Sequence, residues 1–142
     1  MDTLRQAINI LPKNQKWACR HVFMSDDGAL VAQAIQDKQA IAVSDGSLKY
    51  GKGTAALTVV SATTLALHPI IGTLLVPGVV KDGDSHCCEL AGIYGIVILI
   101  QSMVDRYSIL SGGVHVACNI KQALHIFDLT FFPTHNRQTL IW

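Results

Sequence analysis

A chain of 142 residues that is half apolar and only 15% charged can bury one core, is too small for two of ordinary size, and is too apolar for extensive disorder. Its net charge of +1 excludes a bulk basic footprint, so any nucleic-acid binding must come from local placement of Lys and Arg. Cys19, Cys87, Cys88 and Cys118 lack the C-x-x-C spacing of a zinc site, and the opening MDTLRQAINILPKNQKW lacks the unbroken apolar run of a signal peptide. An intracellular, reducing environment with reduced thiols is therefore expected.

Residues 1–39 read as a mixed, partly ordered leader with Trp17 and an acidic turn at Asp26-Asp27-Gly28. Within it, Leu30, Val31, Ala34 and Ile35 recur at helical spacing and predict a short helix over 29–35. The texture then changes. Residues 40–44 read as a buried strand that ends at an Asp45-Gly46 turn. A second strand over 54–60 follows a Gly51-Lys52-Gly53 turn, and a third over 70–76 lies between His68-Pro69 and Pro77-Gly78. This spacing predicts an antiparallel meander.

No Asp, Glu, Lys or Arg occurs between Lys52 and Lys81, which raises the question of a membrane span. Pro69, Pro77, His68 and several Thr interrupt the stretch, so it reads as strands and a turn and not as a helix of about 20 apolar residues. The apolar run at 90–100 is about half the length a span needs, and no membrane partner is expected.

A polar loop over 81–85 opens the next element, with Asp84 or Ser85 as helix N-cap. Leu90, Ile93, Val97, Ile100 and Val104 recur every three or four residues and predict a long helix that faces the sheet. Gly112-Gly113 breaks it, residues 114–118 read as a fourth strand, and 120–127 as a second helix. The fold class is thus α/β with a mixed sheet, its domain spanning 40–129, followed by a tail over 130–142.

Three polar residues fall at exposed positions of this outline: Asp45 closing the first strand, Glu89 in the first turn of the long helix, and Asn119 closing the fourth strand. A fourth strand lying beside the first brings all three together. Taken singly, each has a plain structural explanation. Asp45-Gly46 is a turn, Glu89 complements the helix dipole, and Asn119 caps the following helix. Cys87, Cys88 and Cys118 read as packing residues, and His86, His115 and His125 form no i, i+4 pair that would suggest zinc.

The residues around these positions resemble a known family. Ser44-Asp45-Gly46-Ser47 with Gly53-Thr54-Ala55-Ala56 is similar to the opening hairpin of type 1 ribonucleases H. Ser85-His86-Cys87-Cys88-Glu89-Leu90-Ala91-Gly92-Ile93 resembles that family's first helix, and Val116-Ala117-Cys118-Asn119-Ile120-Lys121-Gln122-Ala123-Leu124 its fourth strand and following helix. The match covers roughly 40–127 and is most similar to the version at the end of retroelement reverse transcriptases.

That resemblance implies a ribonuclease H-like fold: an antiparallel three-strand meander, a helix, a parallel fourth strand and a helix. The family's final strand and closing helix, which carries a fourth acidic ligand, have no evident counterpart; Asp128 falls too early for that ligand. It also implies hydrolysis of RNA in RNA–DNA hybrids with two Mg²⁺ ions, Asp45 and Glu89 being metal ligands. Asn119 takes the place of a third catalytic carboxylate, so weak activity, or a non-catalytic remnant serving as an interaction module, is expected. Ser47, Lys49 and Lys121 are the candidate nucleic-acid contacts, although a solvated surface explains the lysines equally well. A missing fifth strand predicts an exposed sheet edge and poor solution behaviour.

Overall fold

The computed structural model describes residues 3–64, 67–78, 86–120, 123–134 and 137–141. Among these residues, four α-helices, α1 (Leu4–Asn9), α2 (Lys13–Lys16), α3 (Ala29–Gln36) and α4 (His86–Arg106), accompany seven strands. These are β1 (His21–Phe23), β2 (Ala40–Lys49), β3 (Lys52–Ser61), β4 (Ile70–Leu75), β5 (Gly112–Ile120), β6 (Ala123–Thr134) and β7 (Arg137–Ile141). They form one mixed sheet in the order β1-β4-β3-β2-β5-β6-β7, in which only β2 and β5 run parallel. An α/β class with a mixed sheet is thus what the chain adopts.

The expected meander is present as β2, β3 and β4, but its first strand runs farther than the sequence suggests. Asp45 and Gly46 do not turn; they pair with Ala56 and Ala55 in mid-ladder. The reversal falls instead on Tyr50 and Gly51, whose φ values of 54° and 73° give the two left-handed residues that a tight hairpin with the right-handed strand twist requires. Gly46 has another use. A Cβ there would lie 2.6 Å from Cys88 C and from Glu89 N, so the glycine lets the start of α4 rest directly on the strand.

A second correction concerns residues 120–127, expected as a helix: Ile120 ends β5 and 123–127 lie in β6, while Lys121 and Gln122 lie outside the described residues. The segment from Ile126 to Thr130 alternates strictly, with Leu129 buried and Ile126, Asp128 and Thr130 exposed, and the β-branched and aromatic content favours pairing with β5 over a helical turn. Because β6 and β7 continue the sheet, the strand order departs from the one the resemblance implies. The edge expected beside the fourth strand is covered.

The helices line a single face of the sheet. Alternate residues Ala40, Ala42 and Ser44 of β2, Ala55, Leu57 and Val59 of β3, and Val114, Val116 and Cys118 of β5 are buried beneath them. From α4, Ile96, Leu99, Ile100 and Met103 are fully buried, whereas Leu90, expected in the buried stripe, is 48% exposed. The helix is long and apolar enough by composition to cross a membrane, yet 67% of its apolar window is buried inside the protein, as a core helix requires.

The leader belongs to the same core. Leu4, Ile8, Val31 and Ile35 are buried in it, and β1 pairs with β4. A capping box between Thr3 and Gln6 starts α1, and the Asp27 carboxylate accepts hydrogen bonds from the Leu4 and Arg5 amides, fixing α1 to the turn before α3.

Candidate functional site

The parallel ladder between β2 and β5 begins at Ala40–Val114 and stops at Ser44–Cys118. Beyond that rung β2 stays paired with β3 as far as Lys49, and β5 with β6 as far as Ile120. The two central strands therefore part at their carboxyl ends, and Asp45 and Asn119 are the first residues past the split. Such a fork at the ends of adjacent parallel strands leaves backbone and side chains from both free to meet a ligand. The first turn of α4, seated on Gly46, carries Glu89 over it.

Glu89 is 8% exposed, and its Oε2 is buried with no hydrogen-bond partner among the described residues. Burial pushes its carboxyl above the ordinary glutamate range and the nearby Asp45 charge adds to the rise, while His86 and His125 pull against it. The Cys118 thiol beneath is raised by burial and then by the charge of Glu89. His86 Nδ1 is likewise buried without a hydrogen-bond partner among the described residues. Asp45 and Asn119 are exposed, at the mouth of the fork.

The sequence-predicted residues thus meet in part. The Asp45 charge raises the Glu89 carboxyl, and Asn119 follows the last shared rung, but Asp45 opens on the sheet face away from α4. Asn119 is not a helix cap: it lies within β5, opposite Leu124. Ser47 and Asp45 line a groove of about 460 Å³ with His21, Thr54 and Thr73 on the sheet face away from α4. Lys49 sits at the hairpin tip with its ammonium 5.5 Å from the Tyr50 ring centre, and Lys121 lies outside the described residues. Cys88 and Cys118 are buried as expected of packing residues, but Cys87 is exposed.

Sequence spacing missed His86 and His125. Their charges bear on Glu89 from different elements, the first turn of α4 and β6, and the sequence signals a helix over 120–127, where His125 lies. His115 joins Asp128 across the β5–β6 ladder at 2.6 Å, on the exposed surface. A separate cavity of about 420 Å³ lies at the far end of α4, lined by Ile10, Leu11 and Arg106 among others, and shares no residue with the fork.

Set against protein-family models, curated proteins and solved structures, the chain matches none.

The donor set fits a hard cation only in part. Glu89 offers a buried carboxylate oxygen with no partner among the described residues, and Asp45 and Asn119 carry further oxygens of the type Mg²⁺ takes. No group of three or more His, Cys, Asp or Glu suited to a metal occurs among the described residues.

Without a cation, Glu89 works against folding at neutral pH. Its folded-state affinity for a proton exceeds that of the unfolded chain, so its penalty is absent below the ordinary glutamate value of 4.5 and grows as the pH rises through the raised value. Glu89→Gln is therefore expected to raise the Tm at pH 7 and to lose that advantage near pH 4 (roughly the unperturbed glutamate range). Thermal melts of both proteins across pH check this; a variant less stable than its parent at pH 7 contradicts the assignment.

Proposed function

We propose that this chain is a ribonuclease H-like nucleic-acid-binding domain of the retroelement type that engages RNA–DNA hybrids inside the cell and cleaves them weakly or not at all. The observation that supports the reading best is the fork itself, where β2 and β5 separate after Ser44–Cys118, with Asp45 and Asn119 the next residues of each strand and the charge of Asp45 felt by Glu89. The close seat of α4 on Gly46 adds to it, since it brings the Asp-Gly step and the helix carboxylate into one place.

In this reading Asp45, Glu89 and the Asn119 amide oxygen are the residues that hold divalent cations. Bound Mg²⁺ supplies activation of a water and neutralisation of charge on the departing oxygen. The chain's own part is to hold the carboxylates on rigid elements. Two Mg²⁺ ions bring four positive charges and Asp45 and Glu89 only two negative ones, so occupancy by a pair is disfavoured until phosphate arrives. Recognition rests on duplex shape and 2′-hydroxyls, which suits a chain with little net positive charge.

Binding of a labelled RNA–DNA hybrid, DNA duplex and RNA duplex, each with and without Mg²⁺, tests the proposal. A preference of about tenfold or more for the hybrid over DNA duplex is expected, equivalent to about 1.4 kcal/mol. Lys49→Glu should weaken binding of every duplex alike, because a phosphate contact carries no base information. Equal binding of hybrid and DNA duplex rejects the reading. Rapid hybrid cleavage supports the family assignment and rejects the impairment.

A further inference from the structure

Strand register sets a dimple into the sheet face away from the helices. Asp45 of β2, Ala56 of β3, Thr73 of β4 and His21 of β1 lie on one rung across four strands. Ser47 and Thr54 share the rung two residues farther along β2. Residues directly opposite one another, and residues two apart on a strand, project from the same face. The Ala56 methyl group is therefore ringed by Asp45, Thr73, Thr54 and Thr58, all longer side chains. The result is the groove of about 460 Å³ that Asp45, Ser47, Thr54, Thr73 and His21 line, within the range of about 300–1,000 Å³ that small-molecule sites occupy.

The lining chemistry narrows the ligand. Asp45 is exposed, and its carboxylate makes no hydrogen bond or ion pair among the described residues. No Lys or Arg lines the groove, and Asp45 shares its surroundings with the charge of a second carboxylate, Glu89. An anion is repelled there and a cation attracted. Ser47, Thr54 and Thr73 add hydroxyls, which donate and accept at once and are matched best by groups of the same kind. Thr54 Oγ1 already donates to the Ser47 carbonyl at 3.5 Å, so its part toward a ligand is to accept. Ala56 and Leu75, the latter 66% exposed, give an apolar floor and shoulder.

We propose that this groove binds an amino sugar, a polyhydroxylated ring that carries an ammonium group. The ammonium donates to the Asp45 carboxylate, ring hydroxyls exchange hydrogen bonds with Ser47, Thr54 and Thr73, and the C–H face of the ring rests over Ala56. A plain alkylammonium meets Asp45 alone, and an exposed ion pair by itself contributes little. A neutral sugar keeps the hydroxyl contacts and loses the charged one, which is the stronger kind. The inference does not rest on the nuclease reading, although both use Asp45.

Nuclear magnetic resonance titration of the whole chain with glucosamine, glucose and ethylamine tests it, with chelator in every sample so that no divalent cation occupies Asp45. Glucosamine is expected to bind in the millimolar range, with its largest shifts at the amides of Asp45, Ala56 and Thr73. It should bind about tenfold or more tightly than glucose or ethylamine, since it alone meets both halves of the site. Asp45→Asn removes the charge at nearly constant shape and should bring glucosamine down to the affinity of glucose. Ala56→Ile fills the dimple with a residue suited to a strand and should abolish binding of both sugars while the remaining resonances keep their parent positions. A parent spectrum that glucosamine leaves unchanged overturns the proposal. So does equal affinity for glucosamine and glucose, or glucosamine binding that survives Ala56→Ile or is undiminished by Asp45→Asn.

Discussion

Gly46→Ala is expected to lower stability by about 3 kcal/mol, a loss usually seen only when a core is overpacked against atoms that cannot yield. Local preference points the other way. Alanine costs less backbone entropy than glycine, and at a compatible site the exchange stabilises by about 0.4–1 kcal/mol. At Gly46 the added methyl group would meet Cys88 C and Glu89 N at 2.6 Å and Cys88 O at 2.8 Å, all backbone atoms of the α4 start. No rotamer change relieves that overlap, so α4 must lift from β2 and carry Glu89 away from Asp45. Gly113 provides the contrast, because a Cβ there meets nothing closer than 3.4 Å. Gly113→Ala should be neutral or slightly stabilising. Thermal melts of the two variants should differ by about 10 °C or more, at roughly 3 °C per kcal/mol for a chain of this size. Equal melting temperatures would show that α4 does not rest on Gly46.

Asn119→Asp is expected to tighten Mg²⁺ binding at least tenfold, worth about 1.4 kcal/mol. The side chains are nearly isosteric, so packing hardly changes and the gain can be assigned to charge. Attraction between opposite charges about 4 Å apart at an effective dielectric of 20 is several times larger than this, which leaves room for solvent screening at the exposed mouth of the fork. The same substitution should lower metal-free stability as pH rises, because a further carboxylate joins Asp45 and Glu89 and raises the pKa of Glu89 further. Titration calorimetry with Mg²⁺ and melts in chelator measure the two effects separately. Hybrid cleavage by the Asp form, with the Asn form silent, assigns the impairment to this residue. Unchanged Mg²⁺ affinity would mean that Asn119 lies outside the cation's reach.

The expected order of the central elements agrees with the structure because each carries its own periodic signal. Apolar, β-branched runs over 54–60 and 70–76 bounded by Gly and Pro turns, and three- and four-residue spacing after Leu90, are local properties that survive into β3, β4 and α4. The failures are equally specific. Asp45-Gly46 carries a turn signal, yet this glycine is required by a helix that arrives more than forty residues later, and no local pattern contains that information. Residues 123–127 have no strong period of their own, and pairing with β5 decides their form. The place of Glu89 in the first turn of the long helix was legible, whereas Asp45 lies in mid-ladder and not at a strand end, and the influence of His86 and His125 on Glu89 was not legible.

The sequence by itself determined the strands of the central meander and the long helix that packs on them, since these depend on residue type and spacing. Only the tertiary structure decided where β2 turns, that β6 continues the sheet, and that one face of the sheet lies open. Those outcomes hang on contacts between segments far apart in the chain, above all the seat of α4 on Gly46 and the ladder between β5 and β6.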